Sequence, residues 1–391
     1  MNITFFIGNG FDLNIGLKTR YQDFYKYLYN KSPDDKLVKS IKNNYELWAD
    51  LESGLGEYLK NVNTDVEVEE FLDSKELIED CLMQYLILEN SCIGYPNKKQ
   101  IAESFRNNIV GFYKFFSPKE QQHYKNLEGD TKQISYQFID FNYTTVLDSL
   151  VSIAEKNLNP FSNHNYKGSA FSDYIVKPLH IHGDITGGMI LGVNDISQIN
   201  NEKLRNNADI VDCMLKKNLN EDAGCFRIKN AQAILDNSMY VCVYGMSIGD
   251  TDNMWWQSII SWLTQNNSRR LVLFLKDNAK VANSAGAQTR FSKKKRQMFT
   301  KHGIDVTEKV FNTISKQIII IPNAPIFNIE GLSINRHEKI EITSSNNINN
   351  LFRDNIIDSA QQAVTKVAGK EKEIMSMTNN VTKLIKENNN G

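Results

Sequence analysis

Short apolar runs alternate with longer amphipathic stretches along most of the chain. The runs predict strands at about 2–8, 137–142, 177–182, 189–193, 239–245, 270–275 and 317–321. Those near 240, 272 and 319 are continuously apolar, which is typical of parallel strands covered on both faces. Strands separated by helical stretches indicate an α/β fold.

The stretch from about 40 to 130 has a helical and aromatic pattern that no strand signal interrupts. Because it falls between the first two predicted strands, we expect a large helical insertion there.

The character of the sequence changes after about residue 345, where Asn-rich linkers flank an apolar stripe at helical spacing. The stripe comprises Leu351, Phe352, Ile356, Ile357, Ala360, Val364 and Val367. We therefore predict a main domain at 1–335 and a helical C-terminal tail at 345–391. The stripe either packs on its own domain or forms an oligomer or partner contact, and we predict a homo-oligomer.

Composition limits the classes of protein to which the chain can belong. The chain is 41% hydrophobic and 23% charged, as in ordinary globular proteins, and its net charge of −1 gives no bulk attraction to nucleic acid or anionic lipid. No apolar run reaches the roughly 18 residues of a membrane span, and no basic segment of a signal peptide begins the chain. The five scattered cysteines form no C-x-x-C pair, which favours a reducing compartment without a zinc ribbon. We expect a cytoplasmic protein that binds neither membrane nor nucleic acid.

A glycine turn follows the first strand, with Gly8, Asn9, Gly10 and Asp12 in sequence. A buried strand that feeds a glycine turn is how doubly wound sheets bring backbone N–H groups close to a dinucleotide. The full Gly-x-Gly-x-x-Gly pattern is absent, so a purely structural turn is an equal alternative. Asp12 would face a ribose hydroxyl or cap a helix. With the strand order above, the turn predicts a Rossmann-like, doubly wound parallel sheet.

A second polar turn follows the strand near 240 and contains Ser247 and Asp250. Such a turn presents hydroxyl and backbone donors to a ribose or phosphate, and Asp250 can accept bonds from ribose hydroxyls. Asp252 is equally well placed to cap the following helix. Ser247 is not in a Gly-x-Ser-x-Gly elbow, which argues against a hydrolase nucleophile.

Asn142, His180 and His182 end the strands between these turns. The Asn142 carboxamide could bind a substrate amide or hold a water, or it could make a local turn. His180 and His182 are two residues apart, so we expect both on one face of a strand. His182 lies nearer the carboxyl end and is the candidate general base, whereas His180 suits a core role. The pair could instead ligate a metal with Asp184 or Asp250.

Taken together and in this order, these motifs resemble the AbiH family of bacterial abortive phage infection proteins. The resemblance spans about residues 1–280 and rests on 7–13, 16–19, 48–52, 141–144, 180–183 and 244–252. It implies an antiphage role.

The same motifs are distantly similar to the sirtuin-type NAD-binding fold, whose relatives in phage defence degrade NAD. That similarity implies a phosphate loop at Gly8 and Gly10, a nicotinamide-ribose contact at Asn142, a base at His182 and an adenosine contact at Ser247. Two features of the sirtuin pattern are missing. Thr144 stands where an acidic residue is expected, and no cysteine zinc module is present, so protein deacetylation is not expected.

The sequence therefore predicts an antiphage effector that hydrolyses the N-glycosidic bond of NAD to nicotinamide and ADP-ribose. The implied catalytic residues are His182 and Asn142. The implied nucleotide-binding residues are Gly8, Asn9, Gly10, Asp12, Ser247 and Asp250. NAD is the expected substrate or ligand, no metal is expected, and a phage trigger protein is the expected partner.

Two alternatives belong to other functional classes. One is a sensor that binds NAD or ADP-ribose without turnover and signals to a partner. The other is a metal-dependent nuclease that uses His180, His182, Asp184 and Asp250.

Overall fold

The computed structural model describes residues 1–336 apart from 45, 223–225, 248–251, 277–284 and 302–307. The chain divides into two units, Met1–Arg336 and His337–Gly391. The predicted tail helix at 345–391 and the predicted ligand contact Asp250 both lie outside the described residues.

A mostly parallel sheet forms the centre of the first unit. The strands are β1 (Asn2–Ile7), β2 (Ile93–Gly94), β3 (Ser135–Asp140), β4 (Ser162–Tyr166), β5 (Ser169–Ile175), β6 (Leu179–His180), β7 (Tyr240–Tyr244), β8 (Arg270–Leu275), β9 (Ile318–Pro322) and β10 (Ser333–Ile334). The main sheet has the order β4-β5-β3-β1-β7-β8-β9, and β6 also pairs with β3. Every pair in it is parallel except the β4–β5 hairpin. The predicted α/β class is therefore confirmed.

The strand order is that of a doubly wound sheet. The chain builds outward from β1 to β3 and on to β5 and β6, then returns to the other side of β1 for β7, β8 and β9. The order thus reverses between β1 and β7, and such a reversal opens a crevice at the carboxyl edge of the sheet.

Helices fill the intervals between these strands. Among the described residues they are α1 (Gly10–Asn14), α2 (Tyr21–Lys31), α3 (Lys36–Asn43), α4 (Leu51–Tyr58), α5 (Asp65–Ser91), α6 (Lys98–Val110), α7 (Pro118–Gly129), α8 (Val146–Asn157), α9 (Ala208–Met214), α10 (Lys216–Asp222), α11 (Arg227–Asp236), α12 (Asn253–Gln265), α13 (Ala285–Lys301) and α14 (Glu308–Ile314). The predicted helical insertion between β1 and β3 is present, and it begins earlier than expected, with α2. No helix in the described part of the chain combines the length and apolar character needed to cross a bilayer.

The buried side chains form three clusters. Because neighbouring residues of a strand point to opposite faces, Phe5 joins a cluster with α6 and α8, whereas Phe6 joins one with α12. The third cluster belongs to the insertion, where α2 to α5 pack together around Trp48. Buried residues between 185 and 214 complete this third core, so the segment that follows β6 packs on the insertion.

Two strand predictions need correction. No strand forms at 189–193, because Leu191 and Val193 are buried in the insertion core and not in the sheet. The β4–β5 hairpin was not predicted at all. Its first strand, SNHNY, is polar throughout, and a search for apolar runs cannot detect a polar strand at the sheet edge.

Candidate functional site

The ends of four strands lie at one edge of the sheet. Ile7 is in register with Asp140 of β3 and Tyr244 of β7, and Asp140 is in register with His180 of β6. All these pairs are parallel, so their carboxyl ends point the same way. These strand ends therefore lie side by side at the carboxyl edge of the sheet.

The glycine turn after β1 packs against the turn after β7. The N–H groups of Gly8 and Gly10 donate to the carbonyls of Tyr244 and Gly245, both at 2.9 Å. A Cβ on Gly10 would lie 2.5 Å from the Gly245 Cα, so these glycines permit the close approach of two backbones. The exposed Asn9 exchanges hydrogen bonds with Thr19. The backbone N–H groups of Gly8 and Gly10 are therefore already hydrogen-bonded within the protein.

Asp12 is buried beneath this turn. It is 1% exposed, and Thr144 donates a hydrogen bond to its Oδ2 at 2.8 Å. Burial raises the pKa of Asp12 to about 7, although the bond from Thr144 opposes the shift. The expectation that Asp12 caps a helix is wrong, because Asn9 occupies the cap position of α1. Thr144 thus holds a carboxyl group that comes from another part of the chain.

Asn142 joins the ends of β1 and β3. Its Nδ2 donates to the Gly8 carbonyl at 3.3 Å, and its backbone N–H donates to Asp140 Oδ1 at 2.9 Å. Asn142 is 6% exposed. The side chain is therefore fixed against the Gly8 turn, on the β3 side of the reversal between β1 and β7.

His180 is held at both ring nitrogens. Its Nδ1 donates to the Asn142 carbonyl at 2.9 Å, and its Nε2 donates to Asp148 Oδ2 at 2.7 Å. Burial lowers the pKa of His180, but the bond to Asp148 and the charges of Asp140 and Asp148 prevail and raise it to about 10. Ligand atoms of Asp140, Asp148 and His180 lie within 4.8 Å of one another. An imidazolium that donates from both nitrogens has no lone pair to offer a metal.

His182 has different neighbours from His180. Strand β6 ends at His180, so the expectation that both histidines share one face of a strand is wrong. The His182 ring packs against Phe141 and Tyr143, with centroid distances of 5.9 Å and 6.4 Å. These two residues flank Asn142 in sequence. His182 thus packs against the two residues that flank Asn142, the other predicted catalytic residue.

A tight turn follows His182. Gly183 has a φ of +71°, and a Cβ there would lie 1.8 Å from the Gly188 carbonyl oxygen. The Ile190 N–H closes the turn by donating to the His182 carbonyl at 2.8 Å. Asp184 accepts bonds from the N–H and hydroxyl of Thr186, so its carboxylate serves the turn itself.

Two buried charged residues complete the surroundings of His182. Lys216 Nζ lies 2.7 Å from Glu52 Oε2 and 3.4 Å from His182 Nε2. Glu52 is 8% exposed and Lys216 is 4% exposed. Burial raises the pKa of Glu52 to about 7 against the opposing charge of Lys216, and burial likewise raises that of Asp252 to about 6. Buried ionisable groups with displaced pKa values are typical of functional sites.

The sequence indicated one of these two residues only indirectly. Glu52 falls in the 48–52 stretch that carries the family resemblance and begins with Trp48. Lys216 carries no signal, because a lysine in a polar helix is ordinarily solvated.

A cavity of about 510 Å³ lies at the carboxyl ends of β1, β7, β8 and β9. Gly10, Ser247, Lys276 and Asn323 are among the residues that line it. The predicted ligand contact Ser247 is exposed there. A cavity of this volume is in the range of small-molecule sites, which run from about 300 to 1,000 Å³.

The fold and this edge define an α/β protein of the doubly wound type, with its cavity and its buried ionisable groups at the carboxyl ends of the strands. The family model described as "Bacteriophage abortive infection AbiH" matches residues 4–274. The chain belongs to this family, as the motifs predicted, and the family implies a role in phage abortive infection. A comparison with curated proteins finds no match.

Proposed function

We propose that the chain contributes to abortive infection by hydrolysing the N-glycosidic bond of NAD to nicotinamide and ADP-ribose. One observation carries the proposal. Asn142 and His182 follow β3 and β6 on one side of the reversal between β1 and β7, and a cavity lined by residues after β7, β8 and β9 lies on the other side. Dinucleotides lie across such a reversal in doubly wound sheets, with one half on each side.

The two sides suit the two halves of the dinucleotide. In the sirtuin-type arrangement, Ser247 belongs to the adenosine side, and Ser247 lines the cavity. Asn142 and His182 belong to the nicotinamide-ribose side. Because the N–H groups of Gly8 and Gly10 already donate to carbonyls, the glycine turn would serve the pyrophosphate mainly by shaping the crevice.

Cleavage of the N-glycosidic bond of NAD needs little acid catalysis. Nicotinamide leaves a cationic pyridinium as a neutral ring, and the transition state resembles an oxocarbenium ion. The protein must orient the ribose and exclude bulk water. A buried carboxamide that donates to the Gly8 carbonyl and a histidine packed against two aromatic rings can provide this orientation.

The test is to incubate the purified full chain with NAD, with and without phage lysate, and to quantify nicotinamide and ADP-ribose. We expect both products in equal amounts, with or without EDTA. His182→Ala and Asn142→Ala should each reduce the rate by about 10²-fold or more, since misplacing the reacting groups costs that much. The exposed Asn30→Ala is the matched control and should keep the full rate.

Two outcomes would reject the proposed reaction, and a third would reject the site assigned to it. Binding of ADP-ribose without nicotinamide release in either condition would identify a sensor. Loss of activity in EDTA would favour a metal-dependent reaction. Full activity of correctly folded His182→Ala and Asn142→Ala would remove both residues from the site.

A further inference from the structure

Lys216 is buried between the helical insertion and the strand-end loops, a position that lysine rarely occupies. Its backbone is fixed on both sides: the N–H donates to the Val193 carbonyl at 3.0 Å, and Asn220 Nδ2 donates to the Lys216 carbonyl at 2.9 Å. The ammonium contacts Glu52 at 2.7 Å and His182 at 3.4 Å. Three distant segments of the chain thus bring an ammonium, a carboxylate and an imidazole together.

The contact with Lys216 defines what His182 can do. An ammonium can only donate, so Nε2 of His182 accepts the bond and the ring proton lies on Nδ1. A second ring proton, on Nε2, would make the imidazole cationic and place its charge 3.4 Å from the Lys216 ammonium. Burial, together with the charges of Lys216 and Arg227, holds the pKa of His182 well below its ordinary value. His182 is therefore suited to donate a hydrogen bond and poorly suited to accept a proton.

Glu52 is the carboxylate in direct contact with this pair. It lies in the first turn of α4, where the helix dipole favours a negative charge. The ionisable groups that act on it are Lys216 of α10, Asp50 before α4, Asp252 before α12, Tyr21 of α2 and Tyr143 after β3. With burial raising its pKa to about 7, Glu52 titrates in the range that suits proton transfer at neutral pH.

We propose that Glu52 accepts the proton of the attacking water, and that Lys216 is the positioning residue that holds both Glu52 and His182. This role rests on the proposed NAD hydrolysis. The water O–H bond breaks and its proton passes to Glu52, while the water oxygen bonds to C1′ of the ribose. The C1′–N bond breaks, and its electron pair goes to the nicotinamide nitrogen. Glu52 then releases the proton to solvent, so NAD and water give nicotinamide, ADP-ribose and one proton.

The experiment measures nicotinamide release by the full chain between about pH 5 and pH 9. In the wild type the rate should rise with pH through about 7, because Glu52 must be ionised. Glu52→Gln should lower the rate by about 10²–10⁴-fold and remove this rise. In Lys216→Met the rise should move to higher pH, because Lys216 lowers the Glu52 pKa. Lys217→Met, whose side chain is 74% exposed, is the matched control and should behave as wild type.

A second readout separates positioning from general stability. Lys216→Met should raise the pKa of His182 in imidazole NMR, and Lys217→Met should not. Should Glu52→Gln or Lys216→Met fail to fold, Glu52→Asp and Lys216→Arg replace them. Glu52→Asp should keep the rise with pH at a reduced rate, and Lys216→Arg should keep the rise at the wild-type pH.

The outcomes distinguish this inference from the function on which it rests. A wild-type chain that releases no nicotinamide rejects the proposed function, and the role of Glu52 with it. An active wild type whose folded Glu52 and Lys216 variants keep its rate and pH profile rejects only the role of Glu52 and Lys216.

Discussion

At the scale of single residues, His180 and His182 belong to one motif but differ in their hydrogen-bond partners. His180 donates to a backbone carbonyl and a carboxylate, whereas His182 accepts a bond from an ammonium. One side chain is therefore an imidazolium that stabilises the fold, and the other is a neutral ring in the candidate site.

The His180 charge should contribute stability that depends on pH. Its pKa of about 10 in the folded chain exceeds the ordinary 6.5, so the contribution is fully present below about 6.5 and is lost as pH rises towards about 10. His180→Gln should cost about 1.5–3 kcal/mol at pH 6, the range for hydrogen bonds to charged groups. Urea denaturation of both proteins between about pH 6 and pH 10 measures the difference, which should shrink as pH rises. A difference that stays constant over this range would show that the side chain is not protonated.

Asn142 and His182 could be proposed from the sequence because of their local position. Asn142 and His182 follow apolar strands, and the carboxyl end of a strand is recognisable in the sequence. Lys216 could not be predicted, because its burial depends on how residues 185–214 fold onto the insertion, which no local pattern encodes.

At the scale of elements, the turn after His182 redirects the chain from the sheet to the insertion. Gly183 makes that change of direction, and the apolar residues beyond it enter the core around Trp48. Apolar periodicity alone does not say which core an apolar run joins, and for this reason 189–193 was predicted to be a strand.

Gly183→Ala tests the importance of this turn. The residue has a positive φ, and the added Cβ would lie 1.8 Å from the Gly188 carbonyl oxygen, so the turn must shift. We expect a loss of about 1–3 kcal/mol in the free energy of unfolding from backbone strain. The matched control is Gly129→Ala at the end of α7, where a Cβ meets nothing within 4 Å. Equal unfolding free energies for the two variants would contradict the role given to Gly183.

At the scale of the whole described unit, β1 is the element around which the rest is arranged. It lies at the centre of the strand order, and Phe5 on it contacts Phe138 of β3, Phe112 before α7 and Phe327 after β9. The parallel sheet could be predicted because its central strands are continuous apolar runs, and the insertion because its helical pattern is long and periodic. The polar hairpin β4–β5 could not, because its pairing partner and not its own hydrophobicity makes it a strand.

Phe5→Ala should destabilise the unit as a whole. The side chain is fully buried among three other aromatic rings, and such truncations cost about 3–5 kcal/mol. Thermal unfolding by circular dichroism measures the change. Phe115→Ala, at a residue that is 36% exposed, is the control and should unfold near the wild-type temperature. A Phe5 variant that melts with the control would show that β1 is not central to stability.

The contact between the two glycine turns has a consequence for comparing relatives of this chain. A Cβ on Gly8 would lie 2.9 Å from the Gly245 carbonyl oxygen, and one on Gly245 would lie 2.6 Å from the Gly8 carbonyl oxygen and 2.8 Å from the Gly10 Cα. None of the three can be replaced alone without moving the others. Selection for folding is therefore sufficient to keep all three through divergence, even in a lineage that has lost its ligand. Relatives that bind a nucleotide are better recognised at exposed positions free of this constraint, of which Ser247 is the first to compare.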